Sequence, residues 1–173
     1  MTRDRIIARF AENATKAGAE VWRAKDREGM NRLLSTLLKG SGSIFCAALT
    51  ELEKAVLIPP DRRSDHYESA SLCLEEARGA IAETGSLIYS SQGGRVLQAG
   101  LLPAHHVAMV RAENIQEKLD DFFAALGDSP PTQIAFETGP SRTADIELEI
   151  TLGVHGPERL SILILEEMPP QMK

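Results

Sequence analysis

The chain has 173 residues, of which 43% are hydrophobic and 25% charged, a balance that fits one soluble domain with a single substantial core. Its net charge of −6 argues against a general nucleic-acid binder, which needs a basic face to neutralise phosphates. No apolar run approaches the roughly 20 residues that cross a bilayer, and MTRDRIIARF alternates charge too early for a secretion signal, so a cytoplasmic protein without a membrane span is expected.

A first helix is expected over about residues 3–17, where Ile6, Ile7, Phe10 and Ala14 share one stripe and Gly18 is the natural stop. Residues 19–23 then read as a strand. Asp26 is a good N-cap for a second helix, whose Met30, Leu33, Leu34, Leu37 and Leu38 keep helical spacing up to Gly40 and Gly42. Residues 43–47 form a second strand, followed by a short helix near 51–54 and the apolar Val56, Leu57 and Ile58. The stretch IPPDRRSDHYES, residues 58–69, is the one linker-like segment; its prolines forbid a helix and its charges need water, so a surface loop is expected.

Further on, residues 87–89 and 96–99 flank SSQGGR, in which Gly93 and Gly94 are a two-residue hairpin signal. Residues 107–110 read as a strand. Residues 113–126 read as a helix, with Ile115, Leu119, Phe122, Phe123 and Leu126 on one face and Gly127 closing it. Residues 133–137 and 160–165 supply the remaining strands. Helices and strands in alternation favour an α/β fold, a layered and mostly parallel sheet with helices on both faces.

The densest polar chemistry lies in GPSRTADIE, residues 139–147, and GVHGP, residues 153–157. Glycine and proline set backbone angles that other residues resist, so this stretch is a shaped loop, not a filled core. Residues 1–63 carry 12 Lys and Arg against 8 Asp and Glu, whereas residues 64–173 carry 7 against 17. Arg142 is the one Lys or Arg between Lys118 and Arg159. It either closes a structural pair with Asp145 or Glu147 or awaits an anionic ligand, with Ser141 and Thr143 beside it. Ile146, Leu148, Ile150 and Leu152 alternate with polar residues as a strand does, while Asp145 and Glu147 would also suit the first turn of a helix entered at Thr143, which would make the loop an anion cradle. The period favours the strand.

The string ETG occurs twice, at Glu83 and at Glu137, each time after an apolar stretch. Should both loops open at one sheet edge, Thr84, Gly85 and Ser86 face Gly139, Ser141, Arg142 and Thr143 across a single crevice. His155, between glycine-bearing turns with Gly156, is either a general acid or base or a cap on a carbonyl. His105 and His106 follow Pro103 and point to opposite sides of an extended chain, so the two cannot share a metal; packing is expected of them, and no metal site is read from the sequence. Cys46 and Cys73 sit in apolar runs as small hydrophobes. Two thiols 27 residues apart are not the four close-spaced ligands of an iron–sulfur centre.

ETGSL at 83–87, LLP at 101–103 followed by His105 and His106, GPSRTADIE, GVHGP and the closing LSILIL at 160–165 occur in an order that resembles the LUD domain family, of the lactate utilization protein C (LutC/YkgG) type. The resemblance is strongest over residues 70–166, within one domain taken as residues 1–173. It implies a fold like that of NagB, RpiA and the CoA-transferases. It also implies a place in the oxidation of lactate to pyruvate beside iron–sulfur partner subunits, the clusters residing in those partners and no cofactor in this chain, with a small anionic metabolite as a possible ligand. Two alternatives stand beside it: a CoA-transferase-like or sugar-phosphate-isomerase-like enzyme, for which Glu83 would be the analogous nucleophile, and a non-catalytic interaction module.

Overall fold

The computed structural model describes residues 1–47, 56–91, 97, 100–128, 130–144, 150–152 and 156–167. Helix α1 (Arg3–Lys16) and helix α2 (Arg27–Leu37) follow the expected stripes: α1 buries Ile7, Phe10 and Ala14, and α2 buries Met30 and Leu34. Asp26 caps α2 by accepting the Gly29 N–H at 2.7 Å.

The expected strands appear as β1 (Glu20–Ala24), β2 (Ile44–Ala47), β6 (Ser86–Ser90), β7 (His105–Arg111), β9 (Ile134–Glu137) and β12 (Arg159–Leu165), and the apolar stretch before the first ETG holds β5 (Gly79–Ile81). Others came without a sequence expectation: β3 (Arg63–Ser64), β4 (Leu72–Glu76) and β8 (Ile115–Gln116). Strands β1, β12, β7, β4, β2 and β3, in that order, make a six-stranded sheet with every pairing parallel. A second sheet has the order β8, β5, β6, β9 and is largely antiparallel.

Side chains alternate across the parallel sheet, so each strand feeds two cores. Leu72, Leu74, Val107, Met109, Leu163 and Leu165 pack with Met30 and Leu34 of α2. On the other face Ala108, Val110, Leu160, Ile162 and Ile164 meet Phe10 and Ala14 of α1 together with Ala80, Leu87 and Tyr89 of the second sheet. That sheet is backed in turn by helix α3 (Leu119–Ala125), whose Phe122 packs on Ile81 and Ile88. The order of layers is therefore helix, parallel sheet, helix with second sheet, and helix; the expected α/β class holds, with a second sheet added.

The helix expected over 113–126 is shorter than its apolar spacing suggests. Residues Ala112–Asn114 form a 3₁₀ turn and Ile115 joins the ladder opposite Ala80. Arg3 Nη1 takes the carbonyls of Ala112 and Ile115 at 3.3 and 2.6 Å, so a partner 112 residues away along the chain occupies the groups a helix would have used. Among the described residues β6 pairs with β5 and β9, and the hairpin expected between 87–89 and 96–99 rests on residues 92–96, 98 and 99, which lie outside the described set. The short helix expected near 51–54 also lies outside it.

Candidate functional site

The two ETG corners meet. Leu87 pairs with Glu137 across β6 and β9, so the turn before β6 and the loop after β9 lie side by side. The buried Ser86 hydroxyl donates to Thr84 Oγ1 at 2.8 Å and lies 2.6 Å from Thr138 Oγ1, tying the corners together from below. Thr84 and Thr138 themselves are exposed, as is Arg142.

Both corners lean on the C-terminal end of α1. Gly85 and Gly139 have φ of 72° and 74°, the left-handed region that favours glycine. A Cβ on Gly85 would strike the Ala14 N and Asn13 C backbone atoms, and one on Gly139 would strike the Ala17 carbonyl. Their role is close approach to a helix, so these two expected ligand contacts present bare backbone to α1. Asn13 completes the joint, its Nδ2 donating to the carbonyls of Ala82 and Glu83 at 2.8 and 3.1 Å.

The loop after Gly139 is pinned to the second glycine-rich motif: Ser141 N–H donates to the Pro157 carbonyl at 2.9 Å, and Gly156 seats against the Ser141 side chain. Beyond it, β10 (Arg142–Ala144) and β11 (Ile150–Leu152) pair antiparallel, with Thr143 opposite Thr151. Thr143 and Ala144 are therefore strand, residues 145–149 lie outside the described set, and among the described residues no helix N-terminus cradles the loop. Arg142 reaches back to Gly18, where its guanidinium fills the space a Cβ would need. A cation is favoured there by the partial negative charge of the α1 C-terminus. Asp145, its expected acidic neighbour, lies outside the described residues, as do Glu147 and His155. Glu83 is occupied: its Oε1 accepts the Leu119 N–H at 2.7 Å at the start of α3, a structural task.

A second polar cluster went unnoticed in the sequence. Between the two sheets lie Cys73 and Glu75 of β4, His106 of β7, Tyr89 of β6 and Glu137 of β9. His106 is 1% exposed, Glu75 2% and Tyr89 5%. His106 Nδ1 lies 3.1 Å from Glu137 Oε1, and its Nε2 lies 3.6 Å from Glu75 Oε2. Burial works to lower the His106 pKa, but the Glu137 charge and hydrogen bond, with Glu75 adding, outweigh it and hold the value above 6.5. Burial, followed by the charges of Glu137 and Glu75, raises the Tyr89 phenol well above 10. Burial and then Glu75 push the Cys73 thiol upward. Gly100 covers the imidazole, since a Cβ there would fall 2.5 Å from His106 Cε1. The clue in the sequence was the pair of acids in the otherwise apolar LCLEE.

His105 points the opposite way, as expected, with Nε2 2.9 Å from Ser161 Oγ. Burial and then the Arg159 charge lower its pKa to about 4, against Glu20, which raises it. Its folded value lies below the ordinary 6.5, so the neutral ring stabilises the fold above pH 6.5 and that stabilisation is lost as pH falls through about 4. Urea titrations between those limits should show a steeper loss of stability for the wild type than for His105→Gln; parallel curves would refute this assignment.

The architecture is that of an α/β protein with a parallel sheet, a second sheet stacked on it and polar loops gathered at the end of α1. The LUD domain model matches residues 61–165, and the chain belongs to the LUD domain family. Lactate utilization protein C of Halalkalibacterium halodurans is 29% identical over 113 residues, covering 62% of this chain and 49% of that protein. The protein of the same name from Bacillus licheniformis is 28% identical, with 62% and 47% covered. The chain thus spans about half the length of these relatives. YkgG of Escherichia coli is 28% identical over 165 residues, 83% of this chain and 71% of that one. The crystal structure of a DUF162 family protein from Deinococcus radiodurans superposes with a TM-score of 0.73 at 19% identity, covering 95% of this chain and 99% of that one, which shows the shared fold. No helix among the described residues is long and apolar enough to cross a membrane.

Proposed function

We propose that this chain serves in lactate utilisation in the cytoplasm, binding a small carboxylate metabolite such as lactate or pyruvate at the rim that carries Arg142, Thr84 and Thr138. The relatives named Lactate utilization protein C support the pathway. The observation that supports the ligand class is Arg142, an exposed residue seated at Gly18 beside the end of α1 on which the corners of the exposed Thr84 and Thr138 also lean, because arginine is the side chain best matched to a planar carboxylate. Oxidation to pyruvate falls to iron–sulfur partner proteins in this reading, since the two cysteines of this chain cannot supply a four-thiolate cluster.

The CoA-transferase-like alternative is weakened by Glu83, whose carboxylate is bound to the Leu119 N–H. A thermal-shift series with lactate, pyruvate, CoA esters and sugar phosphates tests the proposal. Lactate or pyruvate at 100 times its dissociation constant should add about 2.7 kcal/mol of stability, and Arg142→Ala should remove the shift. No shift with any of the four, combined with co-purification of iron–sulfur partners that Arg142→Glu abolishes, would replace ligand binding with a docking role.

A further inference from the structure

The buried cluster between the sheets is separate from the Arg142 rim and has the chemistry of a metal centre. Cys73 and Glu75 are alternate residues of β4 and so share a face, and His106 is the register partner of Cys73 on β7. One sulfur, one carboxylate oxygen and one imidazole nitrogen all lie within 4.8 Å of one another. Zinc bonds of about 2.0–2.3 Å hold tetrahedral ligand atoms roughly 3.5 Å apart, and His106 Nε2 already stands 3.6 Å from Glu75 Oε2.

Two further observations point inward. His106 Nε2 is buried and, with the Glu75 carboxylate 3.6 Å away, lacks a partner at hydrogen-bond distance, an arrangement that folded proteins rarely tolerate. Its other nitrogen is held by Glu137 at 3.1 Å, the carboxylate–histidine arrangement that fixes the tautomer and aims Nε2 at a metal. Beside the cluster is a cavity of about 40 Å³ lined by Glu75, Tyr89, Gly100, Leu101, His106 and Glu137. That is room for a water molecule, and Leu101, on its lining, is 45% exposed. His105 and His106 face opposite ways and do not share an ion; the ligands come instead from two strands.

We propose that Cys73 Sγ, a Glu75 carboxylate oxygen and His106 Nε2 form a zinc site, with Glu137 holding the imidazole from behind and the fourth coordination position facing the cavity. A mixed sulfur, nitrogen and oxygen set suits zinc, whereas magnesium and calcium take oxygen ligands. Three protein ligands with one open position is the arrangement of zinc centres that bind water or a substrate oxygen.

The test is a titration of the chelator-treated full chain with Co²⁺, followed by displacement with Zn²⁺ and elemental analysis. The expected result is one ion per chain, with the visible bands of tetrahedral cobalt and a near-ultraviolet sulfur-to-cobalt charge-transfer band. Cys73→Ser should lose that charge-transfer band. Glu137→Gln should keep it while binding zinc roughly ten- to a hundredfold more weakly. Arg142→Ala should bind metal as the wild type does, which separates this site from the rim. A folded wild-type chain that takes up no cobalt, or a charge-transfer band that survives in Cys73→Ser, would overturn the assignment. Where Cys73→Ser loses its near-ultraviolet circular dichroism, the wild-type cobalt spectrum alone decides.

Discussion

Gly85→Ala is expected to destabilise the protein by roughly 2–5 kcal/mol. A left-handed backbone costs a residue with a Cβ about 1–2 kcal/mol, and forcing an atom into a packed site adds about 1–3 kcal/mol. At Gly85 the obstructing atoms are the Ala14 N and Asn13 C backbone atoms of α1, which cannot rotate aside as a side-chain tip can. The helix must move instead, and with it the Asn13 bonds to Ala82 and Glu83. Gly127 supplies the control. Its φ is also positive, at 64°, but a Cβ there has nothing within 4 Å, so Gly127→Ala should cost only the backbone share, about 1–2 kcal/mol. Urea unfolding of both variants measures the difference, and equal losses would show that the packing of the ETG corner on α1 contributes nothing.

What the sequence discloses here depends on the range of the interaction that decides each element. Helix α2 was legible because its cap, Asp26, and its stripe through Met30 and Leu34 lie within the segment itself. Residue Ile115 was misread because its apolar spacing serves a helix face and a strand equally well, and Arg3 with Ala80 settles the matter from far along the chain. Strand β4 escaped notice because Glu75 and Glu76 break its apolar run. Both are buried, Glu76 by virtue of an ion pair with Arg111 at 3.0 Å.

For the rim, the recurrence of ETG pointed to two corners at one edge, and β6 paired with β9 brings them together. The purpose of the glycines was not legible, because it is set by the position of α1 and not by their neighbours in sequence. The cluster around His106 is the extreme case. Its members come from four strands in two sheets, so neither spacing nor periodicity places Glu137 against His106.

The Glu137–His106 contact should show the strongest energetic coupling in the molecule once metal has been removed by dialysis against a chelator. Glu137→Leu alone should cost about 3–5 kcal/mol, because an imidazole that is 1% exposed loses the carboxylate that holds its Nδ1. His106→Leu alone should be comparably damaging, since it strands Glu137, whose side chain is 11% exposed, between the sheets. With both replaced, neither member of the pair is stranded by loss of the other, although Glu75 still loses its imidazole neighbour, and the added methyl groups fill apolar space beside Ala135 and Leu97, which line the same cavity. The double variant should therefore be more stable than the sum of the single losses implies, by roughly 1–3 kcal/mol. Single losses that simply add would mean that the pair is held in place by its surroundings and not by its own attraction, and that Glu137 does not orient the ring.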